Sequence, residues 1–167
     1  MRDKLTKGDI EKMQKEIEYR ELELRPGLIE EVKETRAQGD LSENFEYHAA
    51  KRAKNRNDSR IRYLQNMIKT AQIVEDESAD DEIGMDTKVT LFDEDQQCED
   101  ICKIVTTVRS NPLKGLISIE SPLGKALLGQ KVGDRVLIKV NDSFSYYVQV
   151  KAIEKNVGED DDKIRGY

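Results

Sequence analysis

Apolar residues in the first part of the chain recur at helical intervals. Ile10, Met13, Ile17, Leu24, Leu28 and Val32 follow one another at spacings of three, four or their sum, and the pattern runs to Gln38. Thr6-Lys7-Gly8-Asp9 opens it, with Thr6 at the N-cap and Asp9 three residues on, and Gly39 marks its end. Pro26 interrupts the run; either the helix kinks there, or Pro26 occupies the first turn of a second segment. A second run begins near Ser42 and carries Phe45, Ala49, Ala53, Ile61, Leu64, Ile68 and Ala71. Each run has one narrow apolar stripe and three polar faces. That is the pattern of an antiparallel two-helix coiled coil, whose only core is the seam between its helices. With about 30 residues per helix the arm is about 45 Å long. Its far tip is the turn Gly39-Asp40-Leu41-Ser42.

Beyond this the period shifts toward two. Val89–Phe92, Cys102–Val108, Gly115–Ile119, Arg135–Val140 and Tyr146–Ile153 read as five strands. Pro122–Gly129 reads as one short helix between the third and fourth. Together they make a small α+β domain. The acidic run Glu75-Asp76-Glu77-Ser78-Ala79-Asp80-Asp81-Glu82 reads as a solvated linker. The expected organisation is therefore a coiled-coil hairpin over 1–75, a linker over 76–83, a globular domain over 84–156 and an acidic, disordered tail over 157–167.

Composition narrows this picture. Charged residues make up 37% of the chain and aromatics 5%, too polar for one large core. Of 28 Lys and Arg, 16 fall in residues 1–74 beside 14 of the 34 Asp and Glu, which leaves 12 against 20 for the remainder. The acidic half repels phosphate backbones, so general nucleic-acid binding by that half is not expected. Met1-Arg2-Asp3-Lys4 leads directly into charged helix and no apolar run is long enough to span a bilayer, so a soluble, cytoplasmic protein is expected. Cys98 and Cys102 lie on one strand about 13 Å apart, too far for a disulfide, and without neighbouring His they make a poor zinc site.

The chemistry concentrates at the tip. Asp40, Glu43 and Glu46 recur every third residue and project from one side of a first helical turn. Hard oxygen ligands on such a tip suit Mg²⁺. Carboxylates there also complement a helix dipole, and taken alone the tip reads more readily as a capped turn than as a metal site. Two carboxylates leave most of an octahedral shell to other donors, so a Mg²⁺ site here needs a partner to complete it. Further along, Lys51–Arg62 has six basic residues against one acid, and Arg52, Arg56 and Arg60 share a face through i,i+4 spacing. That stripe is either an ordinary solvated face or a track for phosphates or a partner surface.

Several stretches together resemble Gre-type bacterial transcript-cleavage factors. They are Arg25-Pro26, Gly39-Asp40-Leu41-Ser42-Glu43-Asn44, Glu46-Tyr47-His48-Ala49-Ala50-Lys51 and Ala71-Gln72-Ile73-Val74. In the second half they are Ile117–Gly129 and Val132-Gly133-Asp134. The resemblance covers nearly the whole chain. It implies an N-terminal α-hairpin followed by an FKBP-like domain, with bacterial RNA polymerase as the partner, entered through its secondary channel. It further implies that Asp40 and Glu43 help hold a second Mg²⁺ jointly with polymerase, none being bound tightly alone. That ion promotes hydrolysis of backtracked nascent RNA, rescuing arrested complexes. On this reading the protein is a monomeric cofactor of the polymerase's own cleavage activity, not an enzyme by itself. Asn44, Phe45, Glu46 and Tyr47 support the tip, while His48 is a packing or polar contact rather than a general base. Ser121, Pro122 and Leu123 dock on polymerase, with Leu123 as an exposed apolar anchor beside a rigid proline.

The chain also departs from that family. Phe45 stands where a small residue is more usual, and either stacks on a base or staples the helix start. Val108-Arg109-Ser110-Asn111-Pro112 replaces an acidic segment. The alternative function is a Gre-like regulator that occupies the same channel without promoting cleavage; intact Asp40 and Glu43 favour cleavage. A prolyl isomerase, suggested by an FKBP-like fold alone, is disfavoured because residues 75–167 hold no Trp and only two Phe.

Overall fold

A computed structural model describes residues 2–39, 43–155, 157 and 163–166. The chain divides into two compact units, one formed mainly by Ile10–Ala71 and the other by Lys4–Asp9 with Gln72–Gly166.

In the first unit, helix α1 (Lys7–Tyr19) passes through a π-helical turn (Arg20–Leu24) into α2 (Arg25–Arg36). The π turn resolves the two readings of Pro26. A proline inside a helix has no N–H to give and its ring presses on the carbonyl four residues back. Widening the turn just before it, with the Arg25 N–H reaching the Arg20 carbonyl, lets the backbone stay helical through the proline. Helix α3 (Phe45–Thr70) returns antiparallel: Glu16 meets Arg60, Arg20 meets Asn57 and Thr35 meets Asn44.

The seam differs from the apolar stripe read in the sequence. On α3 its buried members are Ala50, Asn57, Arg60, Ile61, Leu64 and Met67. Phe45 and Ala49, placed in the stripe by spacing, face solvent instead. Asn57 and Arg60 fall on a strict 3–4 repeat with Ala50, Leu64 and Met67, and they are polar. The Asn57 carboxamide accepts from Arg20 at 2.9 Å and donates to the Arg20 carbonyl at 3.1 Å. Arg60 donates to both Glu16 carboxylate oxygens, at 2.9 and 3.2 Å. Burial works to raise the Glu16 pKa, but hydrogen bonds from Arg60 and Arg20 outweigh it and hold the carboxyl below its ordinary value.

The second unit is α+β. Five strands, β3 (Lys88–Asp93), β4 (Cys98–Val105), β5 (Leu116–Ser118), β6 (Arg135–Lys139) and β7 (Ser145–Glu154), form a sheet in the order β5-β4-β3-β7-β6. All pairings are antiparallel except β4 with β5. Helix α4 (Pro122–Leu127) completes the unit. Ile83, Val89, Leu91, Ile104, Leu127, Ile138, Val148 and Val150 are among its buried core. The second expected strand begins earlier and ends at Val105, and Thr107–Arg109 forms a 3₁₀ turn. A parallel pair, β1 (Lys4–Leu5) with β2 (Gln72–Ile73), was not visible in the sequence. Two-residue strands carry no period to detect.

The acidic run 76–83 is mostly exposed to solvent, and it is tied into this unit rather than standing apart from it. Lys155 pairs with Asp76 at 3.7 Å and donates to the Glu82 carbonyl at 2.9 Å, while Lys131 pairs with Asp81 at 3.1 Å. Of the tail, Gly158–Asp162 lie outside the described residues; the Val157 N–H donates to the Asp86 carbonyl and that of Arg165 to the Val108 carbonyl. Among the described residues no helix is long and apolar enough to cross a membrane.

Candidate functional site

The turn between α2 and α3 is built around Asn44. Helix α2 ends at Arg36, the Ala37 and Gln38 N–H groups bond back to the Lys33 and Thr35 carbonyls, and Gly39 follows at φ 150°. Residues with a Cβ rarely adopt that conformation, which accounts for glycine at this point. Asp40, Leu41 and Ser42 lie outside the described residues. On the far side Asn44 is the N-cap of α3, its Oδ1 accepting from the Tyr47 N–H at 3.0 Å. The same carboxamide donates through Nδ2 to the Thr35 carbonyl at 2.6 Å. Thr35 is buried, and its hydroxyl donates to the Glu31 carbonyl. One side chain therefore starts one helix and ties it to the end of the other.

Glu43, immediately before this cap, is exposed. Glu46 is exposed in the first turn of α3, where it complements the helix dipole. Tyr47 and His48 are half-buried, their rings edge-on at 5.4 Å, with Lys51 Nζ 6.0 Å from the tyrosine centroid. Phe45 is 82% exposed. Among the described residues no group of three or more His, Cys, Asp or Glu is placed to hold a metal ion. A carboxylate such as Glu43 is nevertheless a hard donor open to solvent, the chemistry that suits Mg²⁺ sharing its shell with other ligands.

The basic stripe is corrected at one end. Arg52 and Arg56 are exposed, but Arg60 is 6% exposed and turned into the seam against Glu16. Four residues on an α-helix span 400°, so a stripe drawn at that spacing drifts around the helix and its third member reaches the seam.

In the second unit, Ser121 caps α4, accepting from the Gly124 N–H at 3.0 Å and donating to the Ser118 carbonyl at 2.7 Å. A Cβ on Gly124 would stand 2.0 Å from that same Ser118 carbonyl oxygen, so the close approach requires glycine. Pro122 is exposed, but Leu123 is half-buried and packed against the core, which corrects its reading as an exposed anchor. Ser121, Pro122 and Leu123 line one side of a groove of about 530 Å³ whose other walls include Pro112, Ile117, Ile138 and Tyr146. Beside Pro112, Leu113 is 99% exposed. Sequence reasoning missed Leu113; the cue available was its place in a Pro-Leu-Lys-Gly turn.

Arg109, in the segment that departs from the family pattern, is fully buried. Its Nε donates to Asp9 at 2.6 Å and its Nη1 to Asp86 at 2.6 Å. Thr106 adds a hydroxyl to Asp9 at 2.7 Å. Asp9 and Thr6 also cap α1 reciprocally, the Thr6 N–H reaching Asp9 at 2.9 Å and the Asp9 N–H reaching Thr6 at 3.1 Å. The cysteines play no part in either place. Burial, with Asp100 nearby, pushes the Cys102 thiol up to about 11, which keeps it protonated and unreactive.

Comparison with known proteins agrees with this two-part architecture. Residues 4–73 match the family model described as transcription elongation factor, N-terminal, and residues 77–155 match that for transcription elongation factor, GreA/GreB, C-terminal. The transcription elongation factor GreA of Rhizobium etli is 41% identical over 133 residues, 79% of this chain and 84% of that protein. The protein of the same name from Mesoplasma florum is 40% identical over 152 residues, 89% of this chain and 96% of that protein. The crystal structure of a GreA factor homolog from Thermus thermophilus is similar with a TM-score of 0.42 at 29% identity, covering 92% of this chain and 99% of that one.

Proposed function

The chain belongs to the GreA/GreB family of transcription elongation factors, and from that premise we propose that it enters the secondary channel of bacterial RNA polymerase and stimulates Mg²⁺-dependent cleavage of backtracked nascent RNA. The observation that carries the proposal is the tip: an exposed Glu43 fixed to a helix start that Asn44 both caps and ties to the opposite helix. Asp40 and Glu43 are the residues that would share the ion with polymerase, and an ion so shared supplies Lewis acidity to a water and to the RNA phosphate. The protein acts as a cofactor of the polymerase, because its own carboxylates leave most of an octahedral shell to other donors. A thin two-helix arm is the element suited to bring carboxylates into a buried active centre. Exposed Arg52 and Arg56, on the helix that leaves the tip, add positive charge for RNA phosphates or the channel wall.

The groove beside Ser121 and Pro122, together with exposed Leu113, which follows the lining residue Pro112, is the surface for docking on the polymerase. Tyr146 is the only aromatic ring among the described residues that line it, which gives no support to prolyl isomerisation.

The test is to add the protein and Mg²⁺ to stalled, backtracked elongation complexes and size the RNA. Native protein shortens the transcript from its 3′ end; Asp40→Asn and Glu43→Gln each abolish stimulation while polymerase binding persists. Full stimulation by both variants rules out delivery of metal by the tip, and binding without cleavage by the native protein identifies the non-cleaving regulator instead.

A further inference from the structure

Among the described residues of the tip Phe45 is a large apolar side chain left in solvent, and the structure decides between its two readings. A staple buries its ring beside the helix start. At 82% exposure this ring does not. Its backbone is nonetheless firmly placed: it is the first residue of α3, next to the Asn44 cap, and its N–H donates to the Glu43 carbonyl at 3.1 Å. The result is a phenyl ring held out into solvent two residues from the exposed Glu43 carboxylate.

The same side of α3 continues the pattern. Ala49, Arg52 and Arg56 lie four, seven and eleven residues beyond Phe45, spacings that return to one helical face, and all three are exposed. Ala49 keeps that face low next to the ring. Arg52 and Arg56 follow about 10 and 16 Å along the axis. A flat apolar ring followed by guanidinium groups on one open face matches single-stranded nucleic acid, in which a base offers a π-face and the phosphates after it carry negative charge. A folded protein partner would favour an apolar patch, and here the ring is flanked by Glu43, Asn44 and Glu46.

We propose that Phe45 stacks on a base of the extruded RNA beside the scissile phosphate, so that it positions the transcript against the tip carboxylates. This rests on the cleavage function proposed above. Stacking on one base makes the effect of the factor depend on the presence of that base, a dependence that a carboxylate-only tip does not have.

The experiment measures stimulated cleavage in complexes backtracked by a defined length, whose extruded nucleotides are either intact or abasic. Native protein, Phe45→Ala, Phe45→Leu and Phe45→Tyr are titrated against each, with melting curves checking that the variants fold. On intact RNA, Phe45→Ala and Phe45→Leu are expected to lose about 5- to 150-fold in stimulation at limiting factor, the range for one stacked base. Phe45→Tyr keeps the ring and should stay within a few-fold of native. On abasic RNA all four should converge. Equal activity of native and Phe45→Ala on intact RNA overturns the proposal, and so does full activity of Phe45→Leu, which would mark an apolar contact with polymerase. A loss in Phe45→Ala that persists undiminished on abasic RNA overturns it as well. Failure of the native protein to stimulate any cleavage overturns the functional reading itself, and is told apart because no variant then differs.

Discussion

Asn44 performs two jobs with one carboxamide, and they can be separated chemically. Its oxygen caps α3 and its nitrogen fastens the Thr35 carbonyl at the end of α2. Asn44→Ala removes both and should cost about 1 kcal/mol of helix stability through the lost cap alone. Asn44→Asp keeps a cap oxygen and adds a charge that suits the helix N-terminus, but it cannot donate to a carbonyl. If closure of the turn is what fixes Glu43, both variants lose stimulated cleavage, and Asn44→Ala loses the cap's share of thermal stability in addition to the lost tie. Cleavage assays paired with melting curves check this; full activity of Asn44→Asp would reduce the residue to a cap. The amino-acid sequence showed that Asn44 sits at the tip but not this double role, because the Thr35 carbonyl is a backbone group with no signature of its own.

Within the hairpin, the polar layer of Glu16, Arg20, Asn57 and Arg60 explains why its seam was only half legible. Ala50, Leu64 and Met67 keep a strict repeat with Asn57 and Arg60, yet a search for apolar residues passes over those two and drifts to Phe45, Ala49 and Ile68 instead. One polar residue in such a seam fixes the register of two helices at some cost in stability. The layer also predicts a pH dependence. The Glu16 carboxyl is held below its ordinary value of 4.5 by Arg60 and Arg20 against the opposing effect of burial. A carboxyl depressed in the folded state adds stability above the unfolded pKa and loses it as pH falls through the folded one. Helix content followed in urea should therefore show the native hairpin weakening as pH drops below about 4.5. Arg60→Met, which removes the stronger partner, should flatten that dependence. An equally steep profile in Arg60→Met would assign the acid sensitivity to other carboxylates.

The proposed function assigns binding and cleavage to different units of the whole molecule, and that division can be measured. The five strands and single helix of the second unit were readable because buried positions alternate along strands such as Arg135–Lys139. What joins the chain start to that unit was not, since Asp9 and Arg109 are 100 positions apart and each looks like an ordinary surface charge in isolation. The same limit applies to the surface proposed for docking: Leu123 read as its exposed anchor, whereas Leu123 packs on the core and Leu113 is the residue left in solvent. Leu123→Asp would thus confound lost binding with a damaged core, and Leu113→Asp avoids this because surface substitutions change stability by only about 0.5 kcal/mol. A charge at Leu113 should raise the factor concentration needed for half-maximal cleavage, by about 5-fold or more if Leu113 is among the minority of interface residues worth above about 1 kcal/mol. The rate at saturation should stay native, since the tip is untouched. Glu43→Gln should do the reverse, abolishing the saturating rate with little change in polymerase binding. If Leu113→Asp instead left half-saturation unchanged, docking would have to use another face of the second unit. If it lowered the saturating rate, the two units would not divide binding from catalysis in this way.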